Sequence, residues 1–421
     1  MLNIAIASTM TRARRIVMVA ATTSVLAAGP HVARAETIVV GIGSSGSPQV
    51  KTYDSATDSL LSDFLAYDPG FTGGVRVAVG DVNGDGVPDI VTGPGPGGAP
   101  LVKVFNGATG TLIRSFFAFT PSFTGGVFVA AGDVNGDGAA DIIVGADAGG
   151  GPNVKVFDGA TGATLQSFFA YDAGFTGGVR VAAGDVNGDG VPDIVTGAGP
   201  GGAPHVKVFN GTTGALLQSF LAFSPSFTGG VFVAAGDTNN DDKADIVVGA
   251  DAGGGPQISV FDAATNSLLL SFFAFAPNFA GGVRVAAADM NGDGVADIIA
   301  GAGPGGGPAV SVFDGHSGTL MTSFFSEAPT FTGGTYVAGA PENLLVLLNL
   351  IDAVRGTFDQ SLNLLGNALQ NLNEGKVSGG CNMLGAFVNL VQAQSGKSLT
   401  VQQANQFMAS ATSLRSSLGC R

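Results

Sequence analysis

Tryptophan is missing from this 421-residue chain, and tyrosine occurs only four times. Phe is plentiful at 29, but sugar stacking on aromatics with a polar edge has little to work with. Histidine is scarce too. His31 falls in the N-terminal leader described below, which leaves His205 and His316, each apart from any ligand cluster. With two cysteines in all, no Cys/His zinc spacing exists. There is no Gly-x-Ser-x-Gly. The Gly-rich GPGPGGAP stretches lack the Lys-Ser/Thr and helix of a phosphate loop. These absences argue against an enzyme. Charged residues make up 12% and the net charge is −14, which excludes a basic nucleic-acid footprint. Beyond the leader no segment reaches about 18 uninterrupted apolar residues, so no membrane span is expected.

The first 35 residues read as a signal peptide. Arg12, Arg14 and Arg15 form a basic region, IVMVAATTSVLAAG is a short apolar stretch, and Ala33-Arg34-Ala35 fits small-x-small cleavage before Glu36. A twin-arginine signal at Arg14-Arg15 and a retained anchor are the alternatives. The surrounding motif is poor for the first, and the apolar run is too short for the second. The expected location is extracellular, secreted or on the cell surface, with the periplasm as the alternative. Removing residues 1–35 leaves 14 basic against 32 acidic residues, a net charge of −18.

Glycine is abundant at 68 residues, as tight turns between short strands require. The phrase Asp81-Val-Asn83-Gly-Asp85-Gly-Val-Pro-Asp89 returns at Asp133, Asp185, Asp237 and Asp289, a spacing of 52 residues. A fixed period marks an array of like units. One unit contains DIVTG, HVKVFN, LLQSFLAF and GVFVAAG. These are four strand-like runs separated by Gly, Pro, Asn and Thr turns. Four strands in about 50 residues make one β-propeller blade.

Counting fixes the ring. The VKVF-type run and the F-T/A-G-G run each occur six times, but the Asp phrase occurs five times. The chain enters at Thr37 and leaves at Tyr336–Gly339, so the sixth blade takes three strands from the N-terminal end and one from the C-terminal end. Residues 37–340 are expected to form a closed, all-β six-bladed propeller, which removes open edges. A longer period of two blades is superposed. Arg76, Arg180 and Arg284 alternate at one strand position with Phe128, Phe232 and Tyr336.

The D-x-N-x-D-G-x-x-D phrase, the F-T-G-G run and V-G-A-D-A-G-G-G-P resemble FG-GAP repeats, which build the propeller of integrin α-subunits and of many secreted bacterial proteins. The resemblance covers about 300 residues. It implies a propeller whose Asp loops follow the innermost strands and bind Ca²⁺, and it implies diverse roles in adhesion and interaction.

Calcium chemistry also follows from the residues. Ca²⁺ takes six to eight oxygen ligands. The first loop offers side-chain oxygens of Asp81, Asn83, Asp85 and Asp89 and the carbonyl of Val87. The others offer Asp133, Asn135, Asp137, Ala139 and Asp141; Asp185, Asn187, Asp189, Val191 and Asp193; Asp237, Asn239, Asp241, Lys243 and Asp245; and Asp289, Asn291, Asp293, Val295 and Asp297. The bidentate Glu of an EF-hand is missing and strands flank each loop, so a β-hairpin calcium loop fits better. In the fourth loop Asn240 and Asp242 replace two glycines, and binding with some strain is expected there. An Asx-rich turn held by its own hydrogen bonds is the alternative. Five Ca²⁺ would contribute +10, so the acidity reads as a metal-site signature and not as a partner-binding field.

Two weaker signals have plain readings. For the three alternating arginines, ion pairing with a neighbouring blade's Asp is favoured over an anion-binding ring in the channel. The SFFAF and SFLAF runs recur in the blades and are expected to pack between them.

At Pro341 the composition changes to Leu, Asn, Gln and Ala with helical spacing, and residues 341–421 are expected to form a small helical bundle. Helices are expected near 342–354, 359–373, 379–394 and 400–418. If the last two form an antiparallel hairpin, Cys381 and Cys420 meet at one end and export favours a disulfide; two free thiols are the alternative. CNMLGAFVNLVQAQSGKSLT resembles a helical module at the ends of secreted bacterial proteins, called FIMAH-like, which implies an attachment role. The functional expectation is a monomeric, non-enzymatic calcium-binding scaffold for interaction or adhesion, with an extracellular protein or glycan as partner and no nucleic acid. An extracellular hydrolase or lyase, or a lectin, is the alternative.

Overall fold

The computed structural model describes residues 36–107, 109–340 and 377–394. The expected leader, the helices expected near 342–354, 359–373 and 400–418, and the Cys381–Cys420 pairing lie outside the described residues.

Twenty-four strands run from Thr37 to Ala340. The first three are β1 (Thr37–Ile42), β2 (Gln49–Asp54) and β3 (Leu60–Leu65). Blade 1 follows as β4 (Val75–Gly80), β5 (Asp89–Pro94), β6 (Leu101–Phe105) and β7 (Leu112–Phe117). Blades 2 to 5 repeat this antiparallel order. Their innermost strands are β8 (Val127–Gly132), β12 (Val179–Gly184), β16 (Val231–Gly236) and β20 (Val283–Ala288). The sixth sheet has the order β24-β1-β2-β3, with β24 at Thr335–Ala340. β24 pairs with β1 from Thr37↔Ala340 to Ile42↔Thr335, so strands from the two ends close the ring. The six-bladed all-β propeller expected from the repeat count is the observed fold.

Burial follows strand position. The second strand of a blade, DIVTGP in β5, is buried at every residue because neighbouring blades cover both faces. The innermost strands are buried over their first half or more. The outermost strands are β3, β7, β11 (Thr164–Phe169), β15 (Leu216–Leu221), β19 (Leu268–Phe273) and β23 (Leu320–Phe325), and these are largely exposed.

Aromatic pairs bridge successive blades at 4.7–5.0 Å between centroids, including Phe64–Phe105, Phe116–Phe157, Phe168–Phe209, Phe220–Phe261 and Phe272–Phe313. Each is worth about 0.5–1.5 kcal/mol beyond its buried area. The packing expected for the SFFAF runs therefore holds for only part of each run. Phe116 and Phe168 pack between blades, whereas Phe117 and Phe169 point outward and are 49% and 53% exposed. Lysines add a polar clasp. Lys103, Lys155 and Lys207 donate to the carbonyls of Ala66, Ala118 and Ala170 of the preceding blade at 2.8–3.1 Å.

The chain divides into two compact units, and the strands belong to Ala33–Asn343. In the other unit one helix is described, α1 (Val377–Gln394), two residues longer at its start than expected. Among its described side chains Phe387 and Val391, four residues apart, are fully buried, while Val388 is half-buried.

Candidate functional site

Each acidic loop joins the innermost strand of a blade to the next strand out. In the first, Gly84 and Gly86 adopt φ of 71° and 85°, which turns the chain back on itself. Asp81 then accepts from the amides of Asp85 (3.0 Å) and Gly86 (2.8 Å), Asn83 Oδ1 from the Asp85 amide (2.8 Å), and Asp85 Oδ1 from the Val87 amide (2.9 Å). The second, third and fifth loops repeat these bonds, and the fourth repeats all but the one to its Asn Oδ1. In the fourth loop Asn240 and Asp242 take φ of 62° and 66°, the left-handed conformation the two missing glycines would supply. Three pairs of neighbouring loops are also linked. The amides of Ala140, Ala244 and Ala296 donate to the carbonyls of Asp81, Asp185 and Asp237 in the preceding loops at 2.6–2.8 Å.

The last Asp of each loop has a different environment. Asp89, Asp141, Asp193, Asp245 and Asp297 are fully buried. Asp89 accepts from the amides of Val82, Asn83 and Gly107 at 3.1–3.2 Å. Burial raises these carboxyls, to about 6 at Asp89, Asp141 and Asp193 and about 7 at Asp297, against the opposing pull of the amides.

The donors are all hard oxygens, the type Ca²⁺ takes. In the fourth loop Asn239 Oδ1 is buried and accepts no hydrogen bond, an orphan of the kind a cation satisfies. The loop acids themselves are turned onto backbone amides. Among the described residues no three His, Cys, Asp or Glu side chains gather at metal-holding distance. The Asx-turn arrangement and the calcium donor set thus coexist in the same residues.

Sequence reasoning missed a partner of these loops. The residue opening the hairpin turn between a blade's third and fourth strands reaches the acidic loop of its own blade. Asn106 donates to Asp85 at 3.2 Å and Asn210 to Asp189 at 3.4 Å. Asn135 and Asn239 donate to Asp158 and Asp262 at 3.2 and 3.1 Å. The signal was present in the sequence: an Asn or Asp stands 17 residues after the last Asp of each of these loops.

The three arginines lie at the opposite end of the innermost strands. Phe128, Phe232 and Tyr336 meet at the axis with centroids 5.9–6.4 Å apart. Each guanidinium sits over two of these rings at 4.7–5.3 Å. Arg76 pairs with Asp147, and Arg180 pairs with Asp251 at 2.5 Å. These are the neighbouring-blade ion pairs expected from sequence. The third is not formed: among the described residues no carboxylate pairs with Arg284.

Catalytic candidates remain thin. His205 Nε2 lies 2.8 Å from Ser219 Oγ, and burial lowers the pKa of its ring. The same cross-strand position holds Gln49–Asp63 and Gln257–Ser271 bonds, so this is strand pairing and not a dyad. A shallow cleft of 390 Å³ lined by Phe223, Phe227, Gln257 and Ser271 contains no ionisable side chain. Among the described residues no helix is long and apolar enough to cross a membrane.

Comparison with known families matches residues 133–196 and 185–248 to the FG-GAP-like repeat and residues 73–110 to the FG-GAP repeat. These segments match FG-GAP repeats. Among solved structures, an exotype rhamnogalacturonan lyase, YesX, is 15% identical with a TM-score of 0.36, covering 65% of this chain and 64% of its own. The Dos1 propeller is 14% identical, covering 68% and 67% with a TM-score of 0.39. The Bacillus licheniformis rhamnogalacturonan lyase PL11 is 14% identical, covering 69% and 72% with a TM-score of 0.34. The chain spans about two thirds of their length. Likeness at this level carries no argument about activity.

Proposed function

We propose that this protein is a secreted, calcium-binding propeller that acts as a non-enzymatic scaffold for interaction or adhesion. The observation that carries this reading is a belt of exposed apolar side chains. Among the described residues, all 17 large exposed hydrophobics, including Leu112, Phe117, Phe169, Phe273 and Phe325, lie on the six outermost strands. Exposed apolar surface on this scale marks a contact surface for another macromolecule, and the outermost strands also present unpaired backbone edges. A protein partner suits such a belt better than a glycan, because Trp is absent and Tyr53, Tyr67 and Tyr336 are buried or half-buried.

Calcium would be held by Asp81, Asn83, Asp85, Asp89 and the Val87 carbonyl, and by the equivalent residues of the other four loops. It would supply structural cross-linking and charge neutralisation. The N-terminal leader pattern supports export. The lyase alternative has no constellation among the described residues behind it.

Two measurements test the reading together. Purified protein should produce no new ends from extracellular polysaccharides and should capture a surface protein. The triple variant Phe169→Lys, Phe273→Lys, Phe325→Lys should lose that capture with an unchanged melting temperature. Polysaccharide cleavage, or capture indifferent to the belt, overturns it.

A further inference from the structure

Arg76, Arg180 and Arg284 occupy one position in blades 1, 3 and 5, but their surroundings differ. The first two meet a carboxylate 71 residues further along the chain, in the next blade. For Arg284 the next blade is the closing one, and the matching position is Gly43. The backbone establishes the match. The amides of Asp147 and Asp251 donate to the carbonyls of Gly126 and Gly230 at 3.1 and 3.0 Å, and the Gly43 amide donates to Gly334 in the same way at 2.9 Å. Gly43 therefore stands where the third carboxylate would be.

A second group is left over with it. Asp147 and Asp251 also accept, through Oδ1, from the amides of Ala148 and Ala252 at 2.7 Å. The equivalent amide belongs to Ser44, and among the described residues it has no such acceptor. Arg284 is 7% exposed, and its Nε and Nη1 have no hydrogen-bond partner, as in Arg76 and Arg180; the difference is at Nη2, which meets a carboxylate in those two and, among the described residues, none in Arg284. An arginine stays charged at any ordinary pH, and a buried charge without a counter-ion is costly. The Phe232 and Tyr336 rings, 5.3 and 5.0 Å from its guanidinium carbon, compensate only in part. The excess positive field also reaches Tyr336. Burial works to raise its phenol, yet Arg76 and Arg284 outweigh burial and leave it below the ordinary value. The chain does not fill the gap itself, because a Cβ on Gly43 would run into the carbonyls of Gly333 and Gly334.

We propose that Arg284 and the Ser44 amide bind the carboxylate of a small-molecule ligand at the seam of the ring, on the mouth opposite the acidic loops. The class of ligand follows from the two equivalent sites, each filled by a carboxylate that meets Arg Nη2 on one oxygen and an amide on the other. Access is from solvent on the side of Ser44, which is exposed, while Asp147 and Asp251, the equivalents of the bound group, keep 7% and 8% exposure. The site differs from the exposed belt of the outermost strands and does not depend on it.

Acetate is the probe. Full-length protein is titrated with sodium acetate at constant ionic strength, with chloride and phosphate as separate arms, and unfolding is followed by calorimetry. The wild type should show a saturable rise in melting temperature with acetate and none with chloride or phosphate. Arg284→Met should abolish the rise. Ser44→Pro removes only the amide donor and places at this position the residue found at Pro96, Pro200 and Pro304. It should fold as the wild type does and bind acetate about fivefold more weakly, the loss expected for one hydrogen bond. No acetate response, an equal response to chloride or phosphate, or a wild-type affinity in Ser44→Pro overturns the proposal.

Discussion

At the scale of single residues, the same side chain has different consequences at equivalent places. Arg76 is neutralised by Asp147, and among the described residues Arg284 has no carboxylate. Removing one partner of a buried pair strands the other and costs about 3–5 kcal/mol. Arg76→Met should therefore lose about 3 kcal/mol in urea unfolding, and Arg284→Met, which strands nothing, less than about 1 kcal/mol. Equal losses would contradict the asymmetry. The alternation of these arginines was legible in the sequence. The missing third partner was not, because the pairing wraps across the ring seam and links positions that lie at opposite ends of the repeat. Loop glycines give a cleaner residue-level case. A Cβ on Gly86 meets nothing within 4 Å, but φ is 85°. Gly86→Ala should cost about 1 kcal/mol through backbone strain alone, and a calorimetric melt measures it.

At the scale of elements, the outermost strands explain why the phenylalanine runs were only half legible. Period-two alternation told that neighbouring residues face opposite ways. It did not tell which of two adjacent Phe faces the next blade, since that depends on how each sheet is set against its neighbour. Phe168 lies against Phe209 at 4.8 Å, while Phe169 is open to solvent. Phe168→Ala should cost about 2 kcal/mol, below the range for a fully buried ring because Phe168 is half-buried. Phe169→Ala should change stability by less than about 0.5 kcal/mol and reduce binding of a hydrophobic dye. Comparable losses in the two variants would refute the assignment of faces. The acidic loops show a similar division. The spacing of their Asp and Asn residues was fully legible. The capping residue from the neighbouring hairpin, such as Asn106, was not, because it is brought in by the pairing of β5 with β6.

At the scale of the whole molecule, the ring depends on one pairing between distant ends of the chain. β1 and β24 are almost 300 residues apart in sequence, yet they form six register pairs. Five blades close locally, each within one repeat, and only this sheet joins the array into a circle. Without β24, the closing blade would lose its innermost strand, and Val39, now fully covered, would face solvent beside an unpaired edge. The aromatic plug would lose Tyr336 at the same time. Two truncations separate ring closure from the role of the tail. A chain ending at Ala340 keeps all 24 strands and should melt in a single cooperative transition close to that of the full protein. A chain ending at Gly334 lacks β24 and should melt much lower, over a broader range, with increased dye binding. Each local blade can still form in the shorter chain, so residual β-sheet signal in circular dichroism is expected and does not rescue the cooperative ring. If both truncations melt alike, strand exchange between the ends is not what holds the propeller closed.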